Sequence, residues 1–403
     1  MKYLILGAGP AGLTFANRLK QLNEDSFLVL EKESVAGGLC RSVEVDGAPL
    51  DIGGGHFLDI RSETANQFLY QFMPCEEWNA YDRNSQIQIG EYRINSPIES
   101  NIWQFPIEKQ IEYLKSIAAA GCNSDCPMPD KFVDWISWKL GKKIADDYLL
   151  PYNKKLYGQD LNTLGTYWLD KLPNVSFEDI LRSCLMRKAY GKQPAHHRFL
   201  YPYSGGYGEV WRRLAEAVKG HIEYGANVSE LDVNEHQVKT KDGGIYRADI
   251  IINTVPWNAF QSISGVPDSI LEKIKELRHT AIEVRYFSEK MDTDAHWIYY
   301  PDLASSYHRI LVRSNFLPNS RGYWTETREE RVNKSVNQGV FSHLNEYAYP
   351  LNTLDKPGIM RQLLKCMEEK SVYGLGRWGE HQHHNSDVVV EKAIALAEAF
   401  AVR

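Results

Sequence analysis

The run KYLILGAGPAGLTFANRLKQL at residues 2–22 constrains the fold more than any other stretch. Tyr3 to Leu6 make a short apolar strand pattern that enters Gly7-x-Gly9-x-x-Gly12 directly. Leu13, Ala16, Leu19 and Leu22 follow at helical spacing, and FLVLEK closes a second strand pattern at Glu31 and Lys32. Gly7 suits the tight turn, Gly9 lets backbone approach a pyrophosphate, and Gly12 lets the helix pack against the strand. Ala11 and Gly12 lie in the first helical turn, whose N–H groups favour phosphate. Glu31 stands about 20 residues beyond the glycines, where an acid meets a ribose hydroxyl. The stretch reads as a dinucleotide site.

The next residues bear on which dinucleotide. VAGGLCRS places Gly37, Gly38 and Leu39 soon after the ribose acid, with Arg41 following. This resembles flavoproteins of the glutathione-reductase-like and amine-oxidase-like type, and the resemblance implies FAD. IEYGANVSELDV and ADIIINTVPW read as further strands of the same domain, with Val228 expected near the adenine. GLGRWG at 374–379 repeats the glycine spacing, but too little chain follows for another strand–helix–strand unit. A turn with Gly376 and Arg377, a cap at Asn385 or Asp387 and a last helix fit better, its N-terminus facing the flavin.

LDIGGGHFLDI at 50–60 has the apolar residues of a strand interrupted by Gly53, Gly54 and Gly55. Glycine inside a strand pattern marks a bulge or a close approach. The expectation is that Gly53, Gly54 and Gly55 leave bare backbone against the isoalloxazine, with His56 beside the ring.

Composition narrows the remaining options. A net charge of −6 without a polybasic run argues against nucleic acid and anionic membranes as partners. The apolar start is short, unlike a signal peptide, and no apolar stretch is long enough for a membrane helix. The six cysteines read as reduced thiols of a cytoplasmic protein. CNSDC and HQHH lack a second ligand pair at matching spacing, so no metal site is expected.

The expected fold class is α/β: a Rossmann-type FAD-binding domain with an inserted helical domain and an antiparallel β-sheet domain. Residues 1–62, 198–262 and 370–403 are assigned to the FAD domain and 104–197 to the helical domain. Residues 63–103 and 263–369, with the aromatic and β-branched runs AIEVRYFS, HWIYYP and HRILVRSNF, are assigned to the sheet domain.

GKKIADDYLLPYNKKLYG followed by TYWLDKL resembles UDP-galactopyranose mutases, especially their eukaryotic-type branch. So do LDIGGGHFLDI, FPIEKQIEYL, RFLYPYSGGYGEVW, WIYYPDLASSYHRILVRSNFLP, YAYP and GRWG, in the same order along nearly the whole chain. The resemblance implies an isomerase in which N5 of reduced FAD is the nucleophile. It places His56 by the flavin, Asn153 and Tyr157 on the helical wall, and Arg309 on a pyrophosphate. Tyr299 and Tyr349 would contact phosphate or sugar, and Arg377 and Asn385 would lie close to the flavin. NAD(P)H is a candidate transient reductant.

Four positions depart from that pattern. The second pyrophosphate arginine falls in Asp170-Lys171-Leu172, and a uridine-side tyrosine falls on Ser96. Phosphate-side tyrosines fall on Phe316 and His383. The expected activity is therefore a mutase or isomerase of a nucleotide-activated sugar other than UDP-galactopyranose. The alternative is an FAD oxidoreductase of the amine oxidase or protoporphyrinogen oxidase type.

Overall fold

The computed structural model describes residues 1–403 apart from 125, 159, 170–175, 192–196, 334–338 and 402–403. At its centre is a five-stranded parallel sheet in the order Ile222–Tyr224, Phe27–Glu31, Tyr3–Leu6, Ile250–Asn253, Val372–Gly374. Its inner strands are continuous apolar runs because both faces are covered. Helices Pro10–Gln21 and Ser386–Ala401 cover one face, where the rings of Tyr3, Phe15 and Phe400 meet. Leu4, Leu6 and Leu30 face the other way, into a core with Ile270, Ile274, Ile359 and Leu363.

That second core moves the expected domain seams. Helices Asp268–Glu276 and Lys356–Glu368 supply it, although both were assigned to the sheet domain by sequence. Helix Glu63–Tyr70 likewise packs on the last helix of the parallel-sheet unit, and its Phe68 and Leu69 join that unit's core. The amphipathic pattern identifies each helix, but not which sheet its apolar face covers.

A seven-stranded sheet runs in the order Phe341–Pro350, His279–Phe287, Tyr323–Arg328, Arg309–Val312, Trp297–Tyr299, Ser85–Ile89, Tyr92–Asn95. It is antiparallel except where Trp297–Tyr299 meets Ser85–Ile89 in parallel. The hairpin of Ser85–Ile89 and Tyr92–Asn95 therefore extends a sheet whose other strands come from much later in the chain. Helices Ile107–Ala118, Phe132–Ile144, Leu150–Tyr157 and Phe177–Met186 form the helical wall. A π-turn at Ala145–Leu149 feeds the third of these helices, with Pro151 in its first turn. Leu156 then packs on Ile282 and Ala348 of the large sheet, which brings Tyr152, Tyr157 and Tyr349 into one cluster. No described helix is long and apolar enough to cross a membrane.

Candidate functional site

The first strand ends in Gly7, whose φ of +101° turns the chain into helix Pro10–Gln21. Gly9 occupies the N-cap without a side-chain cap bond, and a Cβ there would meet only Gly38 Cα, at 3.9 Å. Two bare backbones thus approach one another closely in the wall of a cavity of about 460 Å³. That volume falls within the usual range for a ligand site. Gly7, Gly9, Ala11, Glu31 and Lys32 line it. Gly38, Leu39, Arg41, His56, Val228 and Arg377 line it as well.

Glu31 Oε2 accepts from the Ala8 N–H at 2.8 Å and Oε1 from the Glu33 N–H at 2.9 Å. Burial nevertheless raises its pKa. Thr254, Val255 and Pro256 contribute another wall, and Ser386 and Val389 bring the start of the last helix to it. Gly12, Gly54, Gly55, Gly376 and Asn385 are not among the lining residues. Gly12 sits under the turn, where a Cβ would lie 2.0 Å from Gly7 O.

On the side where side chains would project, the triple glycine meets the chain's own atoms. A Cβ on Gly53 would lie 1.7 Å from Leu39 O, and one on Gly54 2.6 Å from Glu326 Oε1. A Cβ on Gly55 would lie 2.5 Å from Leu311 Cδ2. The chain's own backbone, a carboxylate and a leucine occupy the space that a side chain on these residues would need, so packing on that side requires glycine. His56 alone of this stretch reaches the cavity. Its ring lies parallel to Tyr207 at 6.5 Å, and burial, reinforced by Arg377, pushes its pKa down to about 3. The imidazole is therefore neutral at physiological pH.

The turn that carries His56 is pinned from beneath. Asp51 accepts from Tyr201 Oη at 2.8 Å, Ser42 Oγ at 2.5 Å and the Tyr207 N–H at 3.1 Å. Burial pushes its pKa up to about 6 against those bonds. Tyr207 Oη pairs with Ser386 Oγ at 2.5 Å, tying the turn to the last helix. Asn345 Nδ2 donates to Ile52 O at 2.7 Å, tying it to the edge of the large sheet.

Arg377 joins the cavity to a polar cluster that lies outside its lining. Arg377 donates to His384 O and Ala348 O, and its guanidinium lies 5.9 Å from the Tyr349 ring centre. The Tyr349 ring also meets His383 edge-on at 5.0 Å. Burial raises the phenol pKa of Tyr349, Tyr157 and Tyr152, so all three remain protonated donors. Tyr299 Oη accepts from Arg83 at 3.0 Å and from Trp297 Nε1 at 2.9 Å, and its ring meets Tyr152 at 90°. Asn153 is buried and donates Nδ2 to Leu149 O, at the end of the π-turn that precedes its helix.

Arg309 is not a free cation. It donates from Nη2 at 2.6 Å and from Nε at 3.0 Å to Glu326 Oε2. Glu326 is 1% exposed, and its Oε1 accepts from the Gly55 N–H at 2.9 Å. Burial alone would raise the Glu326 pKa, but Arg309, His308 and the Gly55 N–H outweigh it and hold the group at about 2. Sequence reasoning missed Glu326, Arg83, Tyr152 and Asp51. Only a strand register placing Glu326 opposite Arg309 could have found the first. Phe316, matched by sequence to a phosphate-binding tyrosine, lies in the aromatic core with Phe57, Tyr201 and Trp324. Residues 170–172, where the missing arginine was sought, lie outside the described residues.

A family model for flavin containing amine oxidoreductases matches residues 81–287, more than half of the chain. The chain belongs to that family. A second model, for NAD(P)-binding Rossmann-like domains, matches residues 5–72. The cofactor of this flavoprotein is FAD, and the glycine cradle, the buried Glu31 and the cavity volume fit a dinucleotide.

Among solved structures, reduced UDP-galactopyranose mutase superposes with a TM-score of 0.89 at 20% identity, covering 100% of this chain and 94% of that one. A CLA-producing fatty acid isomerase from P. acnes gives 0.67 at 15% identity, covering 99% of this chain and 98% of that one. Putrescine oxidase bound to putrescine gives 0.65 at 15% identity, covering 100% and 99%. At these identities the likeness is one of fold. An uncharacterized protein of the nifH2 3′ region of Methanothermococcus thermolithotrophicus is 49% identical over 53 residues, 13% of this chain. The match spans 50% of that protein.

Proposed function

We propose that this flavoenzyme isomerises a nucleotide-activated sugar other than UDP-galactopyranose. The carrying observation is the polar, donor-rich cluster of Arg309, Tyr152, Tyr157, Tyr299 and Tyr349 beside His56 and Arg377. Phenol donors and a guanidinium suit phosphate oxygens and sugar hydroxyls. Bound and reduced, FAD supplies the nucleophile, and the protein binds and orients its substrate. Neutral His56 and cationic Arg377 line the inner end, where Arg377 is held by backbone carbonyls rather than a carboxylate. Glu326 stays ionised at neutral pH and holds Arg309 in place. Neither His56 nor Glu326 has a pKa suited to proton transfer near neutrality, as expected if the protein contributes little acid–base chemistry.

A second reading has its own support. Because Glu326 neutralises Arg309, this wall carries less net positive charge than a diphosphate would favour. Together with the family match, that favours an oxidase or dehydrogenase of the amine oxidase type. The deciding experiment incubates dithionite-reduced protein with UDP-, GDP- and dTDP-sugars, and oxidised protein with a panel of amines under oxygen. Isomerised sugar nucleotide supports the first reading. Amine-dependent flavin reduction with no sugar turnover replaces it with the second.

A further inference from the structure

A second pocket, of about 150 Å³, borders Tyr157 and is lined by Gly158, Arg278, His279, Thr280 and Arg328 among others. Arg328 follows Glu326 by two residues on the same strand, so both side chains share one face of the large sheet. Two polar atoms here lack hydrogen-bond partners among the described residues. Thr280 is 5% exposed and its Oγ1 makes no hydrogen bond; Arg328 is 12% exposed and its Nε makes no hydrogen bond, although the Glu330 carboxylate lies beside it. A buried donor left without an acceptor costs free energy, which a bound acceptor recovers.

The surroundings are shaped to hold the guanidinium there. Gly158 ends helix Leu150–Tyr157 with φ +107°, and a Cβ on it would lie 2.9 Å from Arg328 Nη1. The carboxylates at the rim are accounted for. Asp160 Oδ1 accepts from the Asn162 N–H at 3.3 Å, capping the next short turn. Glu330, 66% exposed, lies 3.3 Å from Arg328 Nε without hydrogen-bonding geometry. This carboxylate is exposed and accepts no hydrogen bond from Nε, so an entering anion displaces it at little cost.

We propose that this pocket is a phosphate-class oxyanion site, in which the Arg328 guanidinium and the Thr280 hydroxyl donate to one phosphoryl group. None of the residues assigned by sequence to the nucleotide contributes either donor. The phosphoryl group belongs either to the substrate or to a free phosphate, and the same experiment separates these sources. Inorganic phosphate is titrated calorimetrically into the FAD-loaded protein at constant ionic strength, for wild type, Arg328→Gln and Thr280→Val, and again with UDP present. Phosphate should bind wild type, bind Arg328→Gln about tenfold or more weakly and bind Thr280→Val less tightly, with the flavin spectrum unchanged. Competition by UDP assigns the site to the substrate's phosphate, and simultaneous binding assigns it to a free anion. Because Thr280→Val leaves every charge in place, it keeps the test decisive if Arg328→Gln folds poorly. Absence of phosphate binding to wild type, or affinities equal across the three proteins, would overturn the proposal. The result does not depend on whether sugar nucleotides are isomerised.

Discussion

Arg309 and Glu326 face one another across two antiparallel strands and are joined through a single carboxylate oxygen, while the other oxygen holds the Gly55 N–H. The guanidinium expected to grip phosphate is thus already engaged. Glu326→Gln keeps the shape and removes the charge. It should lower stability by about 3 kcal/mol, the cost of leaving one member of a buried pair unbalanced. It should also raise affinity for pyrophosphate, because Arg309 then needs a counter-ion. Urea unfolding and calorimetric titration of the two proteins check both effects.

The same pair sets an acid limit. Glu326 titrates at about 2 when folded, against 4.5 as an ordinary glutamate. Between those values the unfolded chain binds more protons, so stability falls as pH drops. The contribution is complete above 4.5 and drains away towards 2. The difference in urea midpoint between wild type and Glu326→Gln should therefore shrink from pH 5 to pH 3.

How much of this was legible in the sequence depends on the range of each interaction. The strand, glycine turn, helix and Glu31 form a local unit, and each part constrains its neighbour within a few residues. The triple glycine correctly announced a close approach, but what approaches comes from Leu39, Leu311 and Glu326, and sequence spacing does not encode those contacts. Phe316 was placed by motif order alone, whereas its aromatic neighbours bury it in the core. Helices 268–276 and 356–368 show the same limit, since an apolar stripe does not name its partner sheet.

His56 should be silent to pH. With its pKa near 3, no flavin spectral transition between pH 5 and 8 should depend on it, and wild type and His56→Gln should show the same profile in that range. His56→Ala should shift the flavin absorption or reduction potential more than it shifts the urea midpoint. Absorption spectra recorded against pH and dye-linked potentiometry provide the check.

Gly53→Ala drives a methyl group into Leu39 O and should cost about 1–3 kcal/mol. Leu39 lines the large cavity, so FAD should also be retained less tightly. Gly220→Ala meets nothing within 4 Å and should change stability by no more than about 0.5 kcal/mol. Thermal melts and flavin content per chain read both outcomes.

Lys155 is fully buried and donates at 2.7 Å to Tyr300 O, Asp302 O and Ser305 Oγ. Lys155→Met removes all three donations while keeping much of the apolar stem. Amide hydrogen exchange across 300–307 should accelerate about tenfold or more, as local opening becomes easier. Exchange in strand Tyr3–Leu6 should not change.

The large cavity takes its walls from residues as far apart as Gly7 and Val389. During synthesis, the glycine turn leaves the ribosome long before the last helix that closes over it. A nascent chain therefore carries a half-built cradle, and the dinucleotide can be fully enclosed only after Val389 has been made. Flavin binding then draws the late segments onto the early ones by mass action. Without flavin, chains should be loose where Ser386 and Val389 meet the glycine turn.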